Sequence, residues 1–573
     1  MADLFDKRIA RAIFLSLWAL YAWIGPGMSA INVNSISRIG LAFSIVERHA
    51  LNIDPIAAYT IDKAEFAGHT YLDKAPGLSF MAVPAVAVIH ALAARVGMPT
   101  VAVQGDAFSV FYLLSVWAGV IFSAALLAAA AAATMYWLAR NLGMGRGAAL
   151  FGALGFAVCT PEFGWATSFF GHGVAGACLF IGYALILVAS TPVAARSGPR
   201  LAFLAGAALA WSVTVEFTSA PAALIIAAAG CWRLRTLRSP RTLHLLLAAV
   251  CGGLAGGLPL AIYNLLAFGS VWHLGYSDVV GFAGMQTGLF GVSLPQADVA
   301  LALLVGAKRG ILWIAPILLV APLAWMAAFR RIGATAAVPL VAIPVAYLLI
   351  NSGYAYWDGG ESTGPRHLTP ALPFIGFAFV PLWQMSGSWG RRGLLVLAGT
   401  SFVLALMCAT TTMVCPTFYR GIHVQNELTD LVLPMFLDGN VHNLIAPVGQ
   451  GASATLLSLV IPVLLATGAS RVVRSVTRRS PIGPAQAPSP APALGKLQDT
   501  TRRGRVHGGG FAAGASGRAH AVKRGDLTEV QGRQRLQCEI RRVGHAARVH
   551  NEEKIELRSP AGEIRVLPRI FGG

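Results

Sequence analysis

Between two apolar stretches near the N-terminus, residues 32–74 carry Arg38, Glu47, Arg48, His49, Asp54, Asp62, Lys63, Glu65, His69, Tyr71, Asp73 and Lys74. Taken singly, each of these is an ordinary solvated loop charge. Together they are a large share of the charge before residue 480, and the segment ends Tyr71-Leu72-Asp73-Lys74-Ala75-Pro76-Gly77-Leu78, with an acid and a base at the mouth of an apolar run. Such a pair can move a proton and hold an anion. Three further groups stand out. Glu162 and His172 flank Phe163, Trp165, Phe169 and Phe170 in EFGWATSFFGHG, a link too short to be fully solvated. Glu216, in WSVTVEFTSAP, has no cation nearby in sequence and is costly in lipid unless paired, so it is either a site residue or a partner at a structural hinge. Tyr354, Tyr356, Trp357, Asp358 and Glu361, in NSGYAYWDGGESTGPRH, bring rings and carboxylates to one loop.

The elements that must position these groups are membrane helices. The chain has 573 residues, of which 56% are hydrophobic and 12% charged, with mean hydropathy +0.64, whereas soluble domains carry about 25% charged residues. That composition excludes a soluble enzyme and indicates an all-α polytopic membrane protein of 12–14 spans, with a long first outer loop carrying interfacial helices. Spans are expected near 12–31, 76–96, 147–163, 172–191, 201–219, 220–232, 243–266, 311–329, 334–351, 370–388, 393–414 and 452–470. The pair 201–219 and 220–232 reads as a hairpin that is short for a full crossing. The stretch 101–139 resists assignment, because one crossing there puts Arg140 and Arg146 outside and two need nearly all of it. The first span is expected to be retained, with its N-terminus in the cytoplasm after Lys7, Arg8 and Arg11.

Basic clusters set the topology. Arg196 and Arg200, the run Arg233, Arg235, Arg238 and Arg241, then Arg330 with Arg331, Arg391 with Arg392, and Arg471 with Arg474 all fit one cytoplasmic side; Lys308-Arg309 falls on the outer side and reads as interfacial or functional. Residues 36–48 are expected to form a helix along the interface, with Arg38 and Glu47 off its apolar face. The body is assigned to 1–479. From Ser480 the chain turns Pro-, Gly- and Arg-rich and reads as a basic, disordered tail, 480–573, with 16 Lys and Arg against 8 Asp and Glu, so that +8 of the total +19 lies there. The seven cysteines form no CxxC or Cys/His cluster, which argues against a zinc site or a disulfide framework.

At this point the sequence resembles the GT-C glycosyltransferases, a class that includes protein O-mannosyltransferases and the aminoarabinose transferase of lipid A. Tyr71, Lys74, Pro76 and Leu78 look like the close of their first outer loop. Tyr263-Asn264, Phe268-Gly269-Ser270, Gly275-Tyr276, Arg309-Gly310-Ile311-Leu312 and Gly364-Pro365-Arg366-His367-Leu368-Thr369-Pro370 continue the likeness in order. One departure stands out: known members carry paired acids just after the first span, and this chain has Asn32-Val33-Asn34-Ser35. The resemblance implies transfer of a sugar from a polyprenyl-phosphate donor to a lipid, glycan or protein acceptor, at the periplasmic face of a bacterial inner membrane. It implies no cofactor and no nucleic acid partner, and the absence of a close acidic pair after the first span favours metal-independence.

That chemistry needs a carboxylate to take the acceptor's proton, cations to hold the leaving phosphate, and a groove that admits lipid. The candidate bases are Asp54, Asp62 and Asp73, ranked alike. Lys74 leads for the phosphate, followed by Arg366 and Arg38. Glu47, Tyr71, Glu162, His172, Tyr276, Tyr354, Trp357 and Glu361 complete the expected substrate-binding set, the rings and carboxylates of 354–361 being what sugar binding tends to use. A polytopic transporter or lipid flippase is the alternative; it would place its ionisable groups near mid-bilayer, whereas here they gather in outer loops and at span ends, with Glu216 the main exception.

Overall fold

The computed structural model describes residues 4–98, 100, 106–237, 241–444, 556–558 and 564–566. The expected span 452–470, the anchors Arg471 and Arg474, Arg238 and most of the tail lie outside the described residues. Within the tail, the three-residue strands Glu556–Arg558 and Ile564–Val566 pair antiparallel.

The chain is a multi-pass membrane protein built of helices. Among the described residues, nine stretches are long and apolar enough to cross a membrane. Helix α1 (Leu4–Ile24) is followed by α2 (Val33–Phe43), α3 (Gly77–Arg95), α4 (Asp106–Phe122) and α5 (Ala124–Asn141). Four hydrogen bonds fix how α4 and α5 run against α1. Tyr112 Oη donates to Ala30 O (2.5 Å), Trp117 Nε1 to Ala22 O (2.9 Å), Trp18 Nε1 to Ile121 O (2.8 Å) and Tyr136 Oη to Asp6 Oδ1 (2.9 Å). The register is that of a single antiparallel rod, interrupted only at Ser123, so 106–141 crosses once, from the Ala30 end to the Asp6 end.

That register corrects the expected second span. Helix α3 has the length and hydropathy of a crossing, yet its His90 lies 3.7 Å from Glu47 and its ring 6.4 Å from that of Phe111, both on the loop side. Helix α3 therefore starts and ends on the side of residues 32–74. Arg140 and Arg146 then fall on the N-terminal side, where they hold Asp6 at 3.1 and 3.0 Å, and the parity conflict at 101–139 disappears.

The remaining helices alternate between the two sides: α6 (Arg146–Cys159), the short α7 (Glu162–Trp165), α8 (Gly171–Ala189), α9 (Gly198–Val215), α10 (Ala220–Leu237) and α11 (Thr242–Phe268). After a long loop come α12 (Ala297–Val305), α13 (Ile311–Ile314), α14 (Ala321–Ile332), α15 (Ala334–Ser352), α16 (Leu372–Met385), α17 (Ser388–Thr411) and α18 (Leu433–Leu437). Helices α9 and α10 each have 18 residues, about 27 Å at 1.5 Å per residue, so the hairpin expected to be short spans most of the hydrocarbon. On the N-terminal side, Arg233 bonds Ser190 and Thr335, and Gly145 N donates to Gln384, so the basic turns gather there as their charge pattern requires.

The first loop is a folded unit. Asn32 caps α2, its side chain accepting from Asn34 N at 3.0 Å. The expected helix along the interface is present over 33–48 but is buried on nearly every side, Arg38 included. Strands β1 (Ala64–Phe66) and β2 (His69–Tyr71) form a hairpin whose two turn residues, Ala67 and Gly68, both have positive φ, the geometry that two-residue hairpins favour. The hairpin is tied to the loop after α11 by Val280 N donating to Lys63 O at 3.2 Å. Tyr71 packs on Phe268, with ring centroids 5.2 Å apart.

A labelling experiment checks the α3 assignment. Cysteines introduced for Glu65 and Arg95 should react with a membrane-impermeant maleimide from one side, and one introduced for Arg200 only from the other; labelling of position 95 together with 200 contradicts it.

Candidate functional site

At the loop-side end of the bundle is a cavity of about 350 Å³. Its wall takes residues from α2, the end of the first loop, the start of α8, the α9–α10 junction, and the loops around Tyr276 and Tyr354–His367. Residues that are hundreds of positions apart in sequence meet there because the loop-side ends of their helices converge.

Arg38 is 1% exposed. Its Nε donates to Asn34 Oδ1 (2.9 Å), Nη1 to Ala75 O (3.4 Å), and Nη2 to Glu216 Oε1. Glu216, 2% exposed, is the extended residue at the turn between α9 and α10 and so presents its carboxylate to α2. The backbone approach that permits this is close: a Cβ on Gly77 would lie 2.6 Å from Thr214 O. His172 Nδ1 lies 3.9 Å from the same carboxylate, and the His172 ring meets that of His367 edge-on at 4.9 Å.

Lys74 is held between two carboxylates, Nζ being 2.8 Å from both Asp62 Oδ2 and Asp73 Oδ2. Burial opposes ionisation at both acids. At Asp62 the attraction and hydrogen bond of Lys74 outweigh it, so its pKa is held below the ordinary value. At Asp73 burial prevails and the pKa is raised. Gly275 lets the next loop lie directly on this turn, since a Cβ there would sit 2.8 Å from Leu72 O.

Arg366 differs from the other two cations. Its side chain makes no hydrogen bond or ion pair among the described residues; its guanidinium sits 5.4 Å above the Phe170 ring, and its Nε is buried without a partner. The loop that carries it is pinned from beneath by Arg309. That residue is 2% exposed, forms an ion pair with buried Glu427, and donates to the carbonyls of Asp358 and Gly360. Gly359 and Gly360, both at positive φ, make the turn between them. The Lys308-Arg309 exception to the charge pattern thus has a physical reason: Arg309 is a structural cation of the loop side.

Of the residues expected from sequence, Asp62, Asp73, Arg38, Lys74, His172, Tyr276, Tyr354, Glu361 and Arg366 line the cavity. Asp54 does not; it accepts from His69 Nδ1 (2.8 Å) and Thr70 N (2.7 Å) and serves the hairpin. Glu47 sits by His90, Tyr71 lies in the apolar cluster with Phe268, and Trp357 packs against the core. Glu162 is buried behind Gly173, with both oxygens unpartnered among the described residues. Asn34, Glu216, Tyr356 and His367 line the cavity and were outside the expected set. Of these, Glu216 had a sequence signal as a lone acid between apolar runs, Tyr356 stood among the rings of the 354–361 loop, and His367 lay in the 364–370 run. Tyr276 and Tyr354 are the ring side of the wall, and burial pushes the Tyr354 hydroxyl up to about 12. Among the described residues, no group of three or more His, Cys, Asp or Glu is placed to hold a metal ion.

No model of a known protein family matches the chain, and no curated protein is significantly similar to it. Similar solved structures include ArnT from Cupriavidus metallidurans bound to undecaprenyl phosphate, at 16% identity over 71% of this chain and 64% of that one, with a TM-score of 0.45. The apo state of the same protein gives 16%, 69%, 61% and 0.42. The Archaeoglobus fulgidus oligosaccharyltransferase tethered to an acceptor peptide gives 12%, 70%, 55% and 0.40. Both neighbours are GT-C membrane glycosyltransferases. The chain spans less than two thirds of the length of each.

The Asp62 assignment carries a pH signature. A carboxylate whose folded pKa is lowered adds stability above its unfolded pKa, near 3.9, and loses it as pH falls through the folded value. Asp62→Asn should lower Tm at pH 7 by the equivalent of roughly 1–2 kcal/mol, since Asp73 still holds Lys74. The difference from wild type should close below about pH 4; a gap independent of pH contradicts the ionised pair.

Proposed function

We propose that this chain transfers a sugar from a polyprenyl-phosphate donor to a nucleophilic acceptor, at the periplasmic face of a bacterial inner membrane. The observation that carries the reading is Arg366, a cation that faces the cavity with its donors uncommitted while the cavity's other two cations are already neutralised by carboxylates. An incoming phosphate supplies the partner that Arg366 lacks among the described residues, and a guanidinium can grip two of its oxygens. The resemblance of the first-loop close and of the 364–370 run to the GT-C pattern supports the same donor class.

In this reading the acceptor's hydroxyl or amine attacks the anomeric carbon, its proton goes to Asp62, and the bond from that carbon to the phosphate oxygen breaks. The electron pair leaves with the phosphate, whose growing charge Arg366 and Lys74 stabilise. Asp62 suits the base because Lys74 keeps it ionised and it borders the cavity; Asp73, on the other side of Lys74, tunes that pairing. Glu216 positions Arg38, which closes the floor. Tyr276, Tyr354 and Tyr356 supply ring faces to the sugar. No step calls on a metal or cofactor.

A transporter is disfavoured by where the charge sits. The groups that line the cavity lie at the loop-side ends of the helices, and among the described residues none of them is carried to mid-bilayer.

Lipid co-purifying with the full chain should contain a polyprenyl phosphate or its glycosylated form. Arg366→Gln should reduce its recovery at least about tenfold, the scale for one charge-assisted contact pair. In vesicles supplied with labelled polyprenyl-phosphate-sugar, Asp62→Asn should bind donor normally yet release it unreacted. Wild-type recovery by Arg366→Gln, or movement of a solute without donor lipid, refutes the proposal.

A further inference from the structure

Two imidazoles line the cavity of Arg366 and have no part in the transfer as written above. His172 is the second residue of α8 and is 6% exposed; His367 directly follows Arg366. Small residues press these two segments together. A Cβ on Gly176 would lie 2.7 Å from Pro370 Cα, and one on Gly171 would run into the Glu216 carboxylate. The contact sets two pairs of side chains against each other. The Arg366 guanidinium lies over the Phe170 ring, 5.4 Å from its centroid, and the His367 ring meets that of His172 edge-on at 4.9 Å. The Tyr354 ring lies 5.5 Å from that of His367.

The surroundings of the two rings are charged on several sides. His172 Nδ1 is buried without a hydrogen-bond partner. Glu216 Oε1 lies 3.9 Å from it, and Arg38 Nη2 already donates to that oxygen. The same wall carries Arg38, Lys74 and Arg366, the carboxylates Asp62, Asp73 and Glu361, and the hydroxyls of Tyr276 and Tyr354. Lys74 is shared between Asp62 and Asp73. A charge on either buried ring is costly there until an anion arrives beside it. The transfer brings such an anion. Its donor is a phosphodiester with one negative charge, and its product is a phosphate monoester, which carries two above its second pKa of about 6. The acceptor gives up one proton as the bond from the anomeric carbon to the phosphate oxygen breaks, so one proton is freed for each charge gained.

We propose that His172 and His367 together bind that proton when the phosphate monoester is in the cavity, and so supply a second positive charge beside Arg366. The proton that Asp62 takes from the acceptor ends on an imidazole, and Asp62 returns to its ion pair with Lys74. The product is then held with both of its charges matched. A phosphodiester is matched by Arg366 alone and draws no proton onto the rings. The inference rests on the phosphate reading of Arg366 and is independent of which sugar or acceptor is used.

The test is equilibrium binding of two probes to the full chain in mild detergent, a short-chain polyprenyl phosphate and its methyl diester, at pH values above about 7, where the free monoester is a dianion. Uptake of one proton on binding makes affinity fall as pH rises, by up to about tenfold per unit. The monoester should show that fall and the diester should not. His172→Gln with His367→Gln should flatten the monoester profile. A flat monoester profile in wild type, or an equally steep one in the double variant, overturns the proposal; if Arg366→Gln still weakens binding of both probes, the phosphate reading stands without it. Failure of wild type to bind either probe sinks both. Should the double variant not fold, the imidazolium signal in nuclear magnetic resonance of histidine-labelled wild type decides: it should grow with the monoester and not with the diester, and equal spectra with the two probes overturn the proposal.

Discussion

Everything on the loop side depends on the ion pair between Arg38 and Glu216, two residues 178 positions apart and both almost wholly buried. A single buried charge is expensive, and removing one member of such a pair costs about 3–5 kcal/mol because the other is left uncompensated. Neither helix can therefore keep its charge in place without the other. Helix α2 must sit against the break between α9 and α10, and that contact brings the turn Asp73-Lys74 to the cavity. The 3.4 Å contact of Arg38 with Ala75 O extends the hold to that turn. Lys74 then closes on Asp62, which ties the middle of the loop to its end.

The opposite wall is fixed by a second buried pair, Arg309 with Glu427, acting through the carbonyls of the glycine turn at 358–360. It leaves Arg366 facing the cavity without an ion pair among the described residues. Two cations committed to carboxylates and a third, Arg366, without an ion-pair partner among the described residues leave one guanidinium open to an anionic ligand, and the proposed chemistry follows from that opening.

Much of this was legible in the sequence because charge is rare in a chain this apolar. Asp62, Asp73, Lys74, Arg38 and Arg366 could be picked out by standing in polar segments between long hydrophobic runs, and they do converge. Partnership was not legible. Asp54 and Asp62 look alike in sequence; only the fold shows one capping a hairpin and the other holding Lys74. Asn34 belongs to the wall through convergence of distant helix ends, which no local pattern records. The 76–96 stretch misled for a different reason. Hydropathy measures whether a helix tolerates lipid, not whether it crosses, and α3 satisfies it while both its ends stay on the loop side. Once that helix is removed from the count, the arginines of 140–146 obey the same charge rule as the other basic turns.

The most direct test of the central claim is a cryo-electron microscopy structure of the protein in lipid nanodiscs with added polyprenyl phosphate. The phosphate should lie in hydrogen-bond contact with the Arg366 guanidinium and beside Lys74, at the loop-side end of the bundle. Density for the phosphate at any other place, with the cavity of Arg38, Lys74 and Arg366 filled by water alone, would contradict the account.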